Sequence, residues 1–216
     1  MLGGTFNPVH YAHLFTAEHA AARLRLDRVL LVPAHQSPLK ATAPVPAEHR
    51  VAMLRLAIAD NPLLAVSTVD VERPAPSYTV ETVALLAKQY QSAELFLILG
   101  IDALQDLLEW REPERLLDIC PLIVVSRPGF ELAIPPEVDQ QLGPRAERIT
   151  LLDMPLLEIS STDLRRRFAA AEPVRYLLPR AAEEYVRERG LYGASRSIGA
   201  SPRRVRSRED RSAPHS

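Results

Sequence analysis

The sequence predicts an α/β fold: a single domain built on a doubly wound parallel sheet with helices on both faces. Three observations point to it. Short runs of β-branched and apolar residues recur at 28–33, 94–100 and 122–126, and such continuous runs suit strands buried on both faces. Segments with helical spacing of apolar residues separate them, which is the alternation of parallel βαβ units. The loops rich in Gly, Pro, Ser and His fall at the carboxyl ends of the strands, where open α/β sheets bind ligands. The 216 residues, 47% hydrophobic and 25% charged, suit one domain with its own core.

In chain order, the Gly3-Gly4 turn should follow a strand, yet only Met1 and Leu2 precede it. The sequence therefore predicts a shortened first strand, with the true start upstream. A helix is expected over 12–26, from apolar residues at Leu14, Ala17, Ala21 and Leu24. Residues 28–33 form a strand closed by Pro33. Prolines keep 34–46 irregular, and Val51, Leu54 and Ile58 mark a helix over 47–59. A strand over 63–71, a loop over 73–79 and a helix over 80–90 follow. Residues 94–100 are the clearest strand, giving way to helices at 104–110 and 113–119. After the strand at 122–126, residues 130–147 read as irregular, with one helical turn near Val138. A last strand at 148–152 and helices at 161–170 and 179–189 complete a Rossmann-like domain over 1–193. From 194 to 216 the chain is rich in Ser, Arg, Pro and Gly and poor in apolar residues, so a disordered, solvated tail is expected.

Composition narrows the function. A formal net charge of -1 gives no global field for nucleic acid. The single cysteine, Cys120, rules out an internal disulfide framework and a cysteine metal cluster; its apolar neighbours suit a buried residue. No apolar run is long enough for a transmembrane helix and no secretory signal is visible. The expected compartment is the cytoplasm.

Two stretches carry chemistry. The first is Gly3-Gly4-Thr5-Phe6-Asn7-Pro8-Val9-His10-Tyr11-Ala12-His13. Glycines allow close backbone approach, Asn-Pro starts a turn, and the helix start offers unpaired N–H groups and a positive dipole end. With His10 and His13 three apart, this reads as a polyphosphate site edged by imidazoles. The second is Ile159-Ser160-Ser161-Thr162-Asp163-Leu164-Arg165. Hydroxyls at a helix start are caps by default. Here three are joined by Arg165 one turn later, which makes an anion cradle.

The first stretch resembles the (F/N)(D/N)P-x-H-x-x-H signature of the nucleotidyltransferase superfamily, and the second resembles its I-S-S-T-x-x-R motif. Further segments resemble those of bacterial nicotinate mononucleotide adenylyltransferases: 33–40, Ser77-Tyr78-Thr79, Gly100-Ile101-Asp102 with Trp110, Arg127-Pro128-Gly129, and Tyr176 to Pro179 with Gly190-Leu191-Tyr192. The likeness covers residues 1 to about 193. Three positions depart from it: Leu39 stands where His is usual, Ala12 where Gly is common, and Asn7 where Asp is commoner.

The resemblance implies adenylyl transfer from ATP to nicotinate mononucleotide, giving nicotinate adenine dinucleotide and pyrophosphate. It implies catalytic roles for His10, His13, Lys40 and Arg165. ATP is expected on Gly3, Gly4, Thr5, Phe6, Ser160, Ser161 and Thr162. The acceptor is expected on Tyr78, Thr79, Asp102, Trp110 and Arg127, with Trp110 stacking on the pyridine ring; by residue type alone, Trp110 is equally a packing residue. Mg²⁺ is the expected cofactor, held by phosphates rather than by protein side chains. The expected partners are these two small molecules, with no nucleic acid and no membrane; the sequence does not fix the oligomeric state. Two alternatives stay open: another acceptor on the same fold, nicotinamide mononucleotide or phosphopantetheine, and an inactive nucleotide-binding protein.

Overall fold

The computed structural model describes residues 1–35, 45–127 and 129–195. Among these, six strands form one sheet: β1 (Leu2–Gly4), β2 (Val29–Pro33), β3 (Leu64–Val66), β4 (Leu97–Gly100), β5 (Leu122–Val125) and β6 (Ile149–Leu152). Every pairing is parallel and the order is β3-β2-β1-β4-β5-β6. Eight helices surround it: α1 (Tyr11–Leu24), α2 (Ala47–Ala57), α3 (Thr79–Gln89), α4 (Ile101–Gln105), α5 (Pro113–Ile119), α6 (Pro136–Leu142), α7 (Ser161–Ala169) and α8 (Arg180–Arg189).

Strand periodicity explains the two layers. Successive side chains of a strand point to opposite faces. Val29 and Leu31 of β2, Ile98 of β4, and Ile123 and Val125 of β5 join one core with α1, α2, α7 and α8. Leu30 and Val32, Leu97 and Leu99, and Leu122 and Val124 join the other core with α3, α4, α5 and α6. Each fully buried side chain of this size contributes about 1.5–3 kcal/mol. On α1 the inward residues are small: Ala17, Ala20 and Ala21 are buried. The helix therefore lies close on the sheet and brings its first turn to the end of β1.

The strand order reverses between β1 and β4, so a crevice opens beyond Gly4 and Gly100. That crevice is where open α/β sheets bind ligands.

Several boundaries differ from the expected ones. β3 ends at Val66 rather than 71. It is an edge strand whose only neighbour, β2, stops at Pro33; Ser67 N–H takes the last bond, to Leu31 O at 3.0 Å. β4 starts at Leu97 rather than 94 because β5 starts at its register partner Leu122. The helix expected at 104–110 starts earlier, at Ile101, and breaks into a 3₁₀ turn (Leu107–Glu109) that leaves Trp110 outside it. The region 130–147 holds a real helix, α6, entered through Pro135 and Pro136. Only Val138 and Leu142 of that helix are buried, too few apolar residues to give a periodic signal. β1 is three residues long, yet it pairs with β2 at Leu2, Gly3 and Gly4 and with β4 at Leu2. The expected disordered tail lies outside the described residues from 196 onward.

Candidate active site

The turn after β1 is shaped by its own residues. Phe6, with φ 48°, is buried, and its ring lies where Gly4 has no side chain: a Cβ there would meet ring carbons at 3.3–3.5 Å. Asn7–Pro8 is a cis peptide. His10 then caps α1, and its N–H donates to His13 Nδ1 at 3.3 Å. That bond leaves the proton of a neutral His13 on Nε2, on the far side of the ring. The two imidazoles stack, centroids 3.7 Å apart and planes 24° from parallel, and Phe6 meets His13 edge-on at 4.9 Å. His10 is 3% exposed and its Nδ1 is buried without a hydrogen-bond partner among the described residues. Burial first, and the charge of Arg127 second, pull its pKa down to about 4. Burial therefore favours the neutral form of His10 in the free site. The helix start also offers fewer amides than expected, because Tyr11 N–H already donates to Leu177 O at 3.1 Å and His13 N–H to His10 O at 3.0 Å.

The second motif lies directly on this turn. Ser160 caps α7 by accepting from Asp163 N–H at 3.1 Å. Ser161 Oγ donates to Pro8 O at 2.8 Å. Arg165 Nη1 donates to Asn7 O at 2.8 Å and its Nη2 to Thr162 Oγ1 at 3.2 Å. Two segments some 150 positions apart thus share one loop. Ser161 and Arg165 fasten the turn, while Ser160 and Thr162 are exposed beside it. The amides of Ser161 and Thr162, at the first turn of α7, have no acceptor within the helix.

Two buried groups, Arg50 and Asp70, hold the opposite rim. Neither was singled out from sequence. Arg50 on α2 is 1% exposed. It donates to the carbonyls of Thr5 (2.9 Å), Ala34 (2.7 Å), His35 (3.2 Å) and Val45 (3.1 Å). It joins the end of β1 to the loop after β2. Its only sequence signal is its place on the buried stripe with Met53 and Leu54, at i, i+3 and i+4. Asp70 accepts from His35 N–H at 2.9 Å and from Thr82 Oγ1, and faces Arg73 at 3.5 Å. His35 N–H also reaches Ser77 Oγ at 3.0 Å. These bonds tie the loop after β2 to the start of α3.

The residues expected to bind the acceptor fall at the start of α3 and beyond β4 and β5. Tyr78 caps α3 and Thr79 begins it. Arg111 lies 4.6 Å over the Tyr78 ring. Trp110 is half-buried against the core layer of α3, α4, α5 and α6, with its Nε1 buried and without a partner among the described residues. Asp102 and Arg127, both half-exposed, face each other at 3.6 Å over Gly100. A Cβ on Gly100 would fall 2.2 Å from Asp102 Oδ1 and 2.7 Å from Arg127 Nε, so a side chain there would displace the pair. Lys40 lies outside the described residues. Among the described residues, no group of three or more His, Cys, Asp and Glu is placed to hold a metal ion, and no helix is long and apolar enough to cross a membrane.

Known proteins share this sequence and fold. Residues 1–167 match the cytidylyltransferase-like family. A protein of Roseiflexus sp. strain RS-1 named "probable nicotinate-nucleotide adenylyltransferase" is 49% identical over 193 residues, covering 89% of this chain and 96% of its own. One of the same name from Thermomicrobium roseum is 42% identical over 193 residues, covering 89% and 90%. Two solved structures of Plasmodium falciparum nicotinic acid mononucleotide adenylyltransferase, one complexed with APC and one with NaAD, superpose with TM-scores of 0.71 and 0.73. Each covers 91% of this chain and 97% of its own at 17% identity, a likeness of fold. The chain belongs to the cytidylyltransferase-like family and, within it, to the nicotinate-nucleotide adenylyltransferases.

Proposed function

We propose that this protein transfers the adenylyl group of ATP to nicotinate mononucleotide, giving nicotinate adenine dinucleotide and pyrophosphate in NAD biosynthesis. The observation that carries this reading is the direct bonding of α7 to the first turn: Ser161 to Pro8 and Arg165 to Asn7. It supports the reading because imidazoles, hydroxyls, a guanidinium and a helix N-terminus then belong to one hydrogen-bonded unit beyond Gly4, next to the switch point of the sheet. That set of donors suits a triphosphate.

In the reaction, a 5′-phosphate oxygen of the acceptor attacks the α-phosphorus. The bond from that phosphorus to the bridging oxygen breaks, and pyrophosphate leaves with the electron pair. The nucleophile is already an anion, so no base is needed. Catalysis is positioning plus stabilisation of charge on the leaving group. His13 donates from Nε2, and His10, neutral in the free site, donates or gains a proton once phosphate arrives. Arg165 and Lys40 supply fixed positive charge. Gly3, Gly4, Thr5 and Phe6 approach the nucleotide through backbone, with Ser160, Ser161 and Thr162 at the phosphate end. Mg²⁺ would be held by the phosphates rather than by protein side chains and would supply neutralisation of charge on the triphosphate; the donors of the turn, mainly imidazole and guanidinium, suit phosphate better than a bare cation.

The acceptor lies on the other rim. The start of α3 at Tyr78 and Thr79 takes the pyridine carboxylate, which favours the acid over the amide nucleotide. Trp110 stacks on the ring. Asp102 binds a ribose hydroxyl, with Arg127 beside it. ATP supply places the reaction in the cytoplasm.

The test is pyrophosphate release with ATP and a panel of acceptors, with the dinucleotide identified by mass. Nicotinate mononucleotide should be the best substrate, ahead of the amide nucleotide, and phosphopantetheine inert. His13→Ala should lower kcat about 10²–10³-fold. Release with no acceptor on the panel overturns the proposal.

A further inference from the structure

The 3₁₀ turn Leu191–Gly193 reaches into the site, and the reaction as described does not use it. Its Tyr192 hydroxyl donates to Asn7 Oδ1 at 2.7 Å. The ring lies near-parallel to Phe168 of α7, centroids 6.1 Å apart and planes 30° from parallel. The backbone of Tyr192 has φ 56°, a left-handed conformation that an aromatic residue takes only when its surroundings require it. Burial raises the pKa of the hydroxyl, and the nearby charges of Arg165 and Arg50 oppose that rise. The hydroxyl therefore stays protonated and serves as a fixed donor among two cations.

Taken with α7, the consequence is geometric. The Asn7–Pro8 unit is held at three acceptors from two elements. Arg165 takes the Asn7 carbonyl, Ser161 the Pro8 carbonyl, and Tyr192 the Asn7 side chain. Pro8 has no N–H, so the turn cannot anchor itself there through its own donor. His10 follows two residues later, and His13 stands on the first turn of the helix that His10 caps. Rotation of the Asn7–Pro8 unit would re-aim both imidazoles.

We infer that Tyr192 is a positioning residue: it acts through Asn7 to fix the phosphate-facing turn, and so makes the C-terminal 3₁₀ turn part of the catalytic apparatus. The inference rests on the adenylyl-transfer reading of that same site.

The test is a double-mutant cycle on Tyr192→Phe and Asn7→Ala, with turnover, affinity for a non-hydrolysable ATP analogue and thermal unfolding read together. Tyr192→Phe keeps the ring and loses the donor. It should lower kcat/KM for ATP about tenfold, the scale of one hydrogen bond, and leave KM for nicotinate mononucleotide unchanged. The double variant should be no worse than about twofold below Asn7→Ala. Asn7→Asp, which keeps an acceptor for the hydroxyl, should retain activity that Asn7→Ala loses. If Tyr192→Phe does not fold, the Asn7→Ala and Asn7→Asp pair makes the same test from the other side of the bond. Analogue affinity keeps the two proposals separate. A wild type that binds the analogue but transfers to no acceptor overturns the reaction, while a matching loss of affinity in Tyr192→Phe still supports the anchor. Unchanged kcat/KM and affinity in Tyr192→Phe, or additive effects in the cycle, overturn the role of Tyr192.

Discussion

His10 combines a proposed phosphate contact with a burial that opposes charge. In the unfolded chain it titrates near 6.5, and in the folded protein at about 4. Between those values the unfolded chain carries a proton that the folded one lacks, so stability rises with pH through this window. The contribution is fully present above about pH 6.5, declines as the pH falls, and is lost by about pH 4, a change of about 3 kcal/mol. His10→Gln removes the titration. Urea unfolding measured from pH 4 to 7 should show a shallower acid slope for the variant than for the wild type. Parallel slopes would show that another group carries the acid sensitivity. Sequence alone does not show this burial: the motif gives the spacing of His10 from His13, but not the ring stacked beside it.

At the scale of elements, α2 shows what periodicity hides. Val51, Met53 and Leu54 bury one stripe, and Arg50 lies on that stripe instead of facing water. A buried guanidinium is tolerated only with its donors satisfied, and here the carbonyls of Thr5, Ala34, His35 and Val45 take them. Those are loop carbonyls that neither strand can pair. Arg50→Met keeps the length and loses the donors, leaving several carbonyls without partners. It should cost about 3 kcal/mol or more, seen as a lower urea midpoint at unchanged slope. A loss under about 1 kcal/mol would mean that water replaces the guanidinium. Elements with strong periodic or continuous apolar patterns, α1, β2 and β5, were legible from sequence to within a residue or two, as was α7 from its hydroxyl cap. β3 and α6 were not, because their extent is set by where β2 stops and by two buried anchors rather than by composition.

Over the whole molecule, the sheet order brings both ends of the domain to the switch point. β1 supplies the turn, and α7 and the C-terminal 3₁₀ turn close over it from the far end of the chain. The two motifs were visible in the sequence as separate anion-binding patterns. Their hydrogen bonds to one another were not, because they cross some 150 residues and depend on the packing of α1 and α7 on one face of the sheet. A ligand that bridges these segments should therefore stabilise the fold as a unit. A non-hydrolysable ATP analogue at a hundredfold its Kd adds about 2.7 kcal/mol to unfolding. For a chain of this length that is a rise in Tm of about 5–10 °C. Arg165→Gln removes the charge from α7 and its bond to Asn7, while Ser161 and Tyr192 still hold the turn. At the same analogue concentration the variant should lose most of that rise, with a smaller drop in its ligand-free Tm. An undiminished shift in Arg165→Gln would mean that nucleotide binds the first turn without α7, and that the contact between the two motifs serves folding alone.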